Sequence, residues 1–307
     1  MSQPPLKAAP ISIISAWHGA RNPPKDTRPS FTGRTVIVTG ANTGLGFEAA
    51  IKFVQLDAAK VILGVRTIKK GEDAKAAIEA RSGRNDVVEV WHLDMLDYES
   101  IKAFAARAER ELERLDIAVL NAGILAARYE QSTYGWEKTL QVNVLSTTLL
   151  SLLLLPKLRA SKTEQQTPVL ELVSSTIHQN IQRLGTDPHT DEGPLALYNR
   201  PIGFVAETQY ALSKLFLEHA HLALAHLARN TETSRPDVLV VSVCPGATQS
   251  EITRDLQRHS LLFRIGVWIL ARLFQRTTEE GARSYVSALE VGEAGHGRWF
   301  MDDAIKE

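Results

Sequence analysis

From residue 34 onward the chain alternates short, mainly apolar runs with longer segments whose apolar positions recur at helical spacing. The runs 35–39 (TVIVT), 61–65, 87–93, 117–120, 169–173, 238–243 and 298–301 are rich in β-branched side chains and bounded by turn or capping residues. Their length and composition predict strands. Between them, Ile101, Phe104, Ala105, Ala108 and Leu112 keep the 3.6-residue period behind an Asp97 cap, while Thr67 and Gly83 bracket an earlier helix. Longer helices are predicted from about Gly135 to Leu155 and from about Glu207 to Arg229. Strands that are apolar on both faces need helices over both. The pattern therefore predicts an α/β fold, a single doubly wound Rossmann domain with a seven-stranded, mainly parallel sheet.

No repeat, low-complexity tract or linker interrupts the alternation, so residues 34–307 read as one domain. Residues 1–33 contain Pro4, Pro5, Pro10, Pro23, Pro24 and Pro29 and no regular period, which predicts an irregular extension lying on the domain surface. Its apolar stretch at 11–17 is too short and interrupted for a signal-peptide core. Two further pieces break the rhythm, an inserted loop at 176–206 and the segment 248–275 after the sixth strand. The greasiest parts of the chain, 149–155 and 261–274, fall short of the ~20 apolar residues that a bilayer span needs, and the second contains Arg264 and Arg272. No transmembrane segment is expected. Residues 261–274 suit either a substrate lid or a helix lying on a membrane surface, and the scarcity of basic residues favours the lid. Both uses imply an apolar substrate.

The first predicted strand runs into Gly40-Ala41-Asn42-Thr43-Gly44-Leu45-Gly46, where a helix begins. Glycines there permit a tight turn and close approach of a pyrophosphate, and the helix start offers free N–H groups. A site for NAD places an acidic residue about twenty positions further on, to bond the ribose 2′-hydroxyl. Here Arg66 stands at that place, at the end of the second strand. A guanidinium cannot accept that bond, but it can pair with a 2′-phosphate. The expected cofactor is NADP(H).

Tyr210-Ala211-Leu212-Ser213-Lys214 sets a phenol and an ammonium one helical turn apart. A free tyrosine titrates near ~10, and a close positive charge is expected to bring it down toward neutrality. The ordered set of TGANTGLG at 39–46, Asp94 in HLDMLD, Asn121-Ala122-Gly123, Asn143 in QVNV, Ser174-Ser175, YALSK at 210–214 and Pro245-Gly246 resembles the short-chain dehydrogenase/reductase family, from about Arg34 to Asp302. Within it the chain is similar to the retinol-dehydrogenase-like reductases and to fungal reductases of specialised metabolism.

The resemblance implies a hydride-transferring oxidoreductase acting on a bulky apolar ketone, aldehyde or alcohol. It implies Tyr210 as the acid or base, Lys214 as its partner and the holder of the nicotinamide ribose, and Ser175, rather than Ser174, as donor to the substrate oxygen. Asn143 would position Lys214 and a relaying water. Asp94 would bond the adenine amine, Asn121, Ala122 and Gly123 would line the adenine ribose, and Pro245 and Gly246 would shape the nicotinamide pocket. Thr248 or Ser250 would touch the carboxamide. A cyclase, isomerase or dehydratase on the same scaffold, or a dinucleotide-binding protein without turnover, are the alternatives. The full Ser175, Tyr210, Lys214 and Asn143 set argues against the last.

The remaining features exclude more than they add. Apolar residues make up 44% and charged residues 23% of the chain, and the formal net charge is zero, so no footprint for nucleic acid is present. Cys244 is the only cysteine, which excludes an internal disulfide and suggests a reducing, cytoplasmic setting, with peripheral membrane contact as the alternative. His219, His221 and His226 lack the spacing of a zinc pair, so no metal is expected. His178 and His189 lie in the inserted loop as solvated or substrate-facing side chains. The apolar faces of the Asn143 and Tyr210 helices fit either a homodimer or internal packing.

Overall fold

The computed structural model describes residues 13–181, 184, 193–249, 252 and 274–306. Most of the lid segment 261–274, as well as Ser250 and His189, lies outside the described residues. Eight strands form one sheet: β1 (Thr35–Thr39), β2 (Lys60–Val65), β3 (Val88–His92), β4 (Ile117–Leu120), β5 (Val169–Val173), β6 (Leu239–Val243), β7 (Trp299–Met301) and β8 (Ala304–Lys306). Their order is β3-β2-β1-β4-β5-β6-β7-β8, parallel throughout except for the antiparallel β7–β8 hairpin at the edge. The sequence pattern predicts seven strands. The eighth, three residues long, is too short to show a period.

Strand pleating divides the core in two. Val36, Val38, Val61 and Leu63 face α2 (Gly44–Gln55), α3 (Ile68–Ser82) and a late helix, Thr278–Ala288, while Ile37 and Ile62 face the other side. That side is covered by α4 (Tyr98–Glu111), α5 (Lys138–Ala160) and α7 (Ala206–Leu227). The short α6 is Pro194–Tyr198, and the late helix is α8. All five residues of β1, β5 and β6 are buried, as fully covered parallel strands require.

Cap chemistry sets several helix ends. Asp97 accepts the Glu99 N–H at 3.0 Å to start α4, and Thr277 and Glu280 close a reciprocal capping box on α8. Gly83 ends α3 in the left-handed region. Thr67 stands at the start of α3 without the side-chain bond expected of it, so that helix opens uncapped. α5 has the length and hydropathy of a bilayer span, but two thirds of its apolar window is buried inside the fold, which makes it a core helix. The N-terminal stretch, which shows no period in sequence, contains α1 (Ile13–Arg21).

Strand order reverses between β1 and β4, so the carboxyl ends of these strands open a crevice at a topological switch point. The glycine turn follows β1, Asn121 to Gly123 follow β4, and Ser174 and Ser175 follow β5. The motifs thus converge on one edge of the sheet.

Candidate active site

Gly40 and Gly44 have φ of +67° and +64°, a conformation that disfavours any side chain. A β-carbon on Gly46 would stand 2.5 Å from Asn121 Nδ2, so only glycine lets the turn pass this close to β4. Thr43 precedes α2 in an extended conformation and makes no side-chain cap, and the first turn contains no acid. The leading N–H groups of α2 therefore stay available to an anion. Beside them lies a cleft of about 410 Å³ lined by Asn42, Thr43, Gly44, Phe47, Lys70 and Asp73. This cradle fits the phosphates and adenosine of a dinucleotide. Arg66 is exposed at the end of β2.

Several residues matched to the cofactor serve the turn itself. Asn121 donates to the Thr39 carbonyl at 2.9 Å and accepts the Tyr285 hydroxyl at 2.9 Å, so its side chain braces β1 from below. The Ala122 N–H bonds Thr39 Oγ1 at 2.9 Å. Asp94 uses one carboxylate oxygen on the Leu96 N–H at 2.9 Å. Thr248 and Leu45 both pack against Gly281 of α8, where a β-carbon would meet each side chain at 2.7 Å. The loop after β6 and the glycine turn therefore abut.

The candidate proton-transfer groups come from three elements. Tyr210 and Lys214 lie a turn apart on α7, with Lys214 Nζ 5.6 Å from the phenol ring centre. The ammonium is buried and donates to the Val173 carbonyl at 2.7 Å. Ser175 follows β5 near enough to Tyr210 to draw its titration down, while its neighbour Ser174 is buried. Asn143 lies in a π-helical turn of α5, Gln141–Ser146, a widened geometry common at functional sites. Its amide bonds both backbone groups of Ile124 and the Ser213 hydroxyl, each at 2.9 Å. Gly123 sits against this group, where a β-carbon would lie 3.2 Å from Asn143 Oδ1 and 3.8 Å from Lys214 Nζ.

Buried Glu137 fixes the two helices to each other. Its carboxylate accepts the N–H groups of Thr139 and Leu140 at the start of α5, and the Gln209 side chain of α7 at 2.9 Å. Deeper on the α7 face, Glu218 accepts the Ser242 hydroxyl at 2.6 Å, with His221 Nδ1 3.5 Å away.

Burial sets the titration of these groups. It pushes the Tyr210 phenol well above its ordinary value, Cys244 adds to the rise, and the Ser175 hydrogen bond pulls back only in part. The net downward shift expected from Lys214 is absent, because burial is the largest influence on the phenol. Burial also brings Lys214 down to about 8, against the opposing pull of Glu218 and Cys244.

Lys70, Tyr285, Glu137 and Glu218 carry no family motif, and sequence reasoning passes over them. A signal exists for Lys70, one helical turn beyond Arg66 at the start of α3, and for Glu218, one turn beyond Lys214. Among the described residues no group of side chains forms a metal site.

Residues 34–181 match the family model of the short chain dehydrogenases. A short-chain dehydrogenase/reductase of Aspergillus flavipes is 37% identical over 97% of this chain and 85% of its own. Another from Phaeosphaeria nodorum is 40% identical over 98% of this chain and 86% of its own. Among solved structures, a Shigella flexneri short chain dehydrogenase complexed with NADP superposes with a TM-score of 0.63 at 22% identity, covering 91% of this chain and 100% of that one.

Proposed function

Since the chain belongs to the short-chain dehydrogenase/reductase family, we propose that it is an NADP(H)-dependent carbonyl reductase or alcohol dehydrogenase acting on a bulky apolar substrate. The observation that carries this reading is the convergence of Tyr210, Ser175, Lys214 and Asn143 beside Gly123, at the crevice where β1 and β4 diverge.

When bound, the nicotinamide exchanges a hydride with the substrate carbon. In reduction, Ser175 donates a hydrogen bond to the carbonyl oxygen and Tyr210 delivers the proton to it. A phenol held neutral by burial suits the role of donor. Lys214 would hold the ribose hydroxyls through its ammonium. Asn143 secures Ser213 and the Ile124 backbone, which keeps α7 and the loop after β4 in register. In oxidation the same phenol accepts the proton.

Arg66 supports NADP(H) over NAD, because it is exposed at the end of β2, where the ribose edge would lie, and Lys70 adds a second cation in the cleft beside the glycine turn. The Shigella flexneri relative binds NADP in its crystal. Ile202 and Val205, both exposed just ahead of α7, offer an apolar rim to substrate. Segment 261–274 is assigned the lid, and the apolar groove between α5 and α7 the homodimer contact. A cytoplasmic setting fits the lone reduced Cys244.

Loss of NADPH absorbance with a panel of hydrophobic ketones tests the activity. Product formed with that absorbance unchanged would replace it with a non-redox reaction. Tyr210→Phe is expected to bind NADPH as wild type does and to lose turnover by ~10²-fold or more; turnover within tenfold of wild type would overturn the acid-base assignment. Arg66→Asp is expected to weaken NADPH against NADH by about 10–100-fold, the scale of a charge-assisted bond to the 2′-phosphate. An unchanged ratio would remove Arg66 from cofactor choice.

A further inference from the structure

Arg276, just ahead of α8, is only 2% exposed, and its guanidinium gathers partners from three distant parts of the chain. Nε donates to the Gly19 carbonyl of α1 at 2.8 Å, and Nη2 to the Asn22 carbonyl at 3.2 Å and to Asp302 Oδ1 at 2.5 Å. Nη1 donates to the Pro245 carbonyl at 3.2 Å. The backbone of Arg276 also pairs with the loop after β6, its N–H bonding the Ala247 carbonyl at 2.8 Å while its carbonyl accepts the Gln249 N–H at 2.9 Å. Gly246 adopts φ +76° directly against it, where a β-carbon would stand 2.5 Å from Nη1.

A guanidinium presents five donors in a rigid fork, so several fixed acceptors hold it in one place. Those acceptors here include the N-terminal helix, which Lys25 and Pro24 tie down again through Asp303 and Arg283. The fork bears on 245–249 and touches no part of the glycine turn or the Asn42 and Lys70 cleft. β6 keeps its pairing with β5 and β7 through its own backbone. The clamp therefore acts on the loop after β6, none of whose residues lines the adenosine cleft.

We propose that Arg276 is a positioning residue for the nicotinamide end of the cofactor, and that α1 is a working part of the same device, holding the guanidinium against the Pro245-Gly246 turn. This rests on the reading above, in which Pro245, Gly246 and Thr248 face the nicotinamide. It makes the N-terminal extension part of the site.

Two probes separate the ends of the cofactor: NADPH, which spans the crevice, and adenosine 2′,5′-bisphosphate, which fills only the adenosine end. Dissociation constants are measured by fluorescence and calorimetry in the full chain, without turnover. A β-carbon on Gly19 would lie 3.6 Å from Arg276 Nη2, an ordinary contact, so Gly19→Ala is expected to bind both probes as wild type does. Gly19→Ile pushes α1 off the guanidinium. Gly19→Ile and Arg276→Met are each expected to weaken NADPH by about tenfold, the scale of one charge-assisted hydrogen bond, with the bisphosphate held within about twofold. The double variant is expected to bind NADPH no more weakly than Arg276→Met alone. Gly19→Ile keeps the buried arginine and the whole sheet, so it carries the comparison whatever the stability of Arg276→Met. Parallel weakening of both probes, or NADPH binding unchanged in Gly19→Ile, overturns the clamp and leaves NADP(H) dependence standing. Wild-type protein that binds neither probe overturns both.

Discussion

Under the proposed function, Lys214 sets a catalytic demand against stability. Burial lowers its ammonium from the ordinary lysine value to about 8. Because the folded value lies below the unfolded one, folding expels a proton, and the penalty is fully present below pH ~8 and relieved as pH climbs toward ~10.4. Lys214→Met is expected to raise stability at pH 7 by up to about 3 kcal/mol, less its bond to Val173, while turnover falls by ~10²-fold or more. Urea titration at pH 7 and at pH 10 checks this, and a variant less stable than wild type at both would contradict it. The groups facing the ammonium are Tyr210, Cys244 and Glu218, of which Glu218 pulls its value up most. Turnover should therefore decline as pH passes about 8, and Glu218→Gln should move that decline to lower pH. An unmoved alkaline limb would exclude Glu218 from that role. The Tyr-Lys spacing was readable in the sequence, but the direction of the Tyr210 shift was not. Spacing along a helix fixes proximity, whereas burial depends on what the rest of the chain lays over it.

Elements place these groups through features that periodicity only partly reveals. The apolar period of α5 was legible, yet its π turn was not, since one widened turn leaves the buried stripe intact. That turn points Asn143 at Ile124 and Ser213. Glu137 was equally hidden, because a buried acid has no motif until its partners are known. Glu137→Ala leaves the Thr139 and Leu140 N–H groups without their acceptor and frees Gln209 from α5. The expected loss is about 2–4 kcal/mol in urea titration, with Glu137→Gln recovering part of it. A loss under ~0.5 kcal/mol would show that α5 and α7 hold their places by apolar packing alone. The missed α1 has a different cause: prolines surround it, and its contacts are supplied by Arg276 from the far end of the chain.

On the scale of the whole molecule, the doubly wound sheet followed from apolar strands that demand cover on both faces. The strand order and the β7–β8 edge needed coordinates, because short strands pair through backbone groups that every residue carries. The same apolar surplus that predicted the helix faces leaves an apolar concavity uncovered among the described residues. Val144, Leu145, Leu149, Leu152, Leu195 and Phe216 line a groove of about 430 Å³ between α5 and α7, with Leu152 42% exposed beside it. A two-fold pairing would bury this groove against its own copy. Light scattering is expected to give a dimer for the wild-type chain and a monomer for Leu152→Glu, whose charge would be desolvated at the contact. Leu152 lies on the far side of α5 from Asn143's partners, so NADPH affinity should survive the change. A wild-type chain that stays monomeric at micromolar concentration would leave the groove to another apolar occupant and remove the dimer.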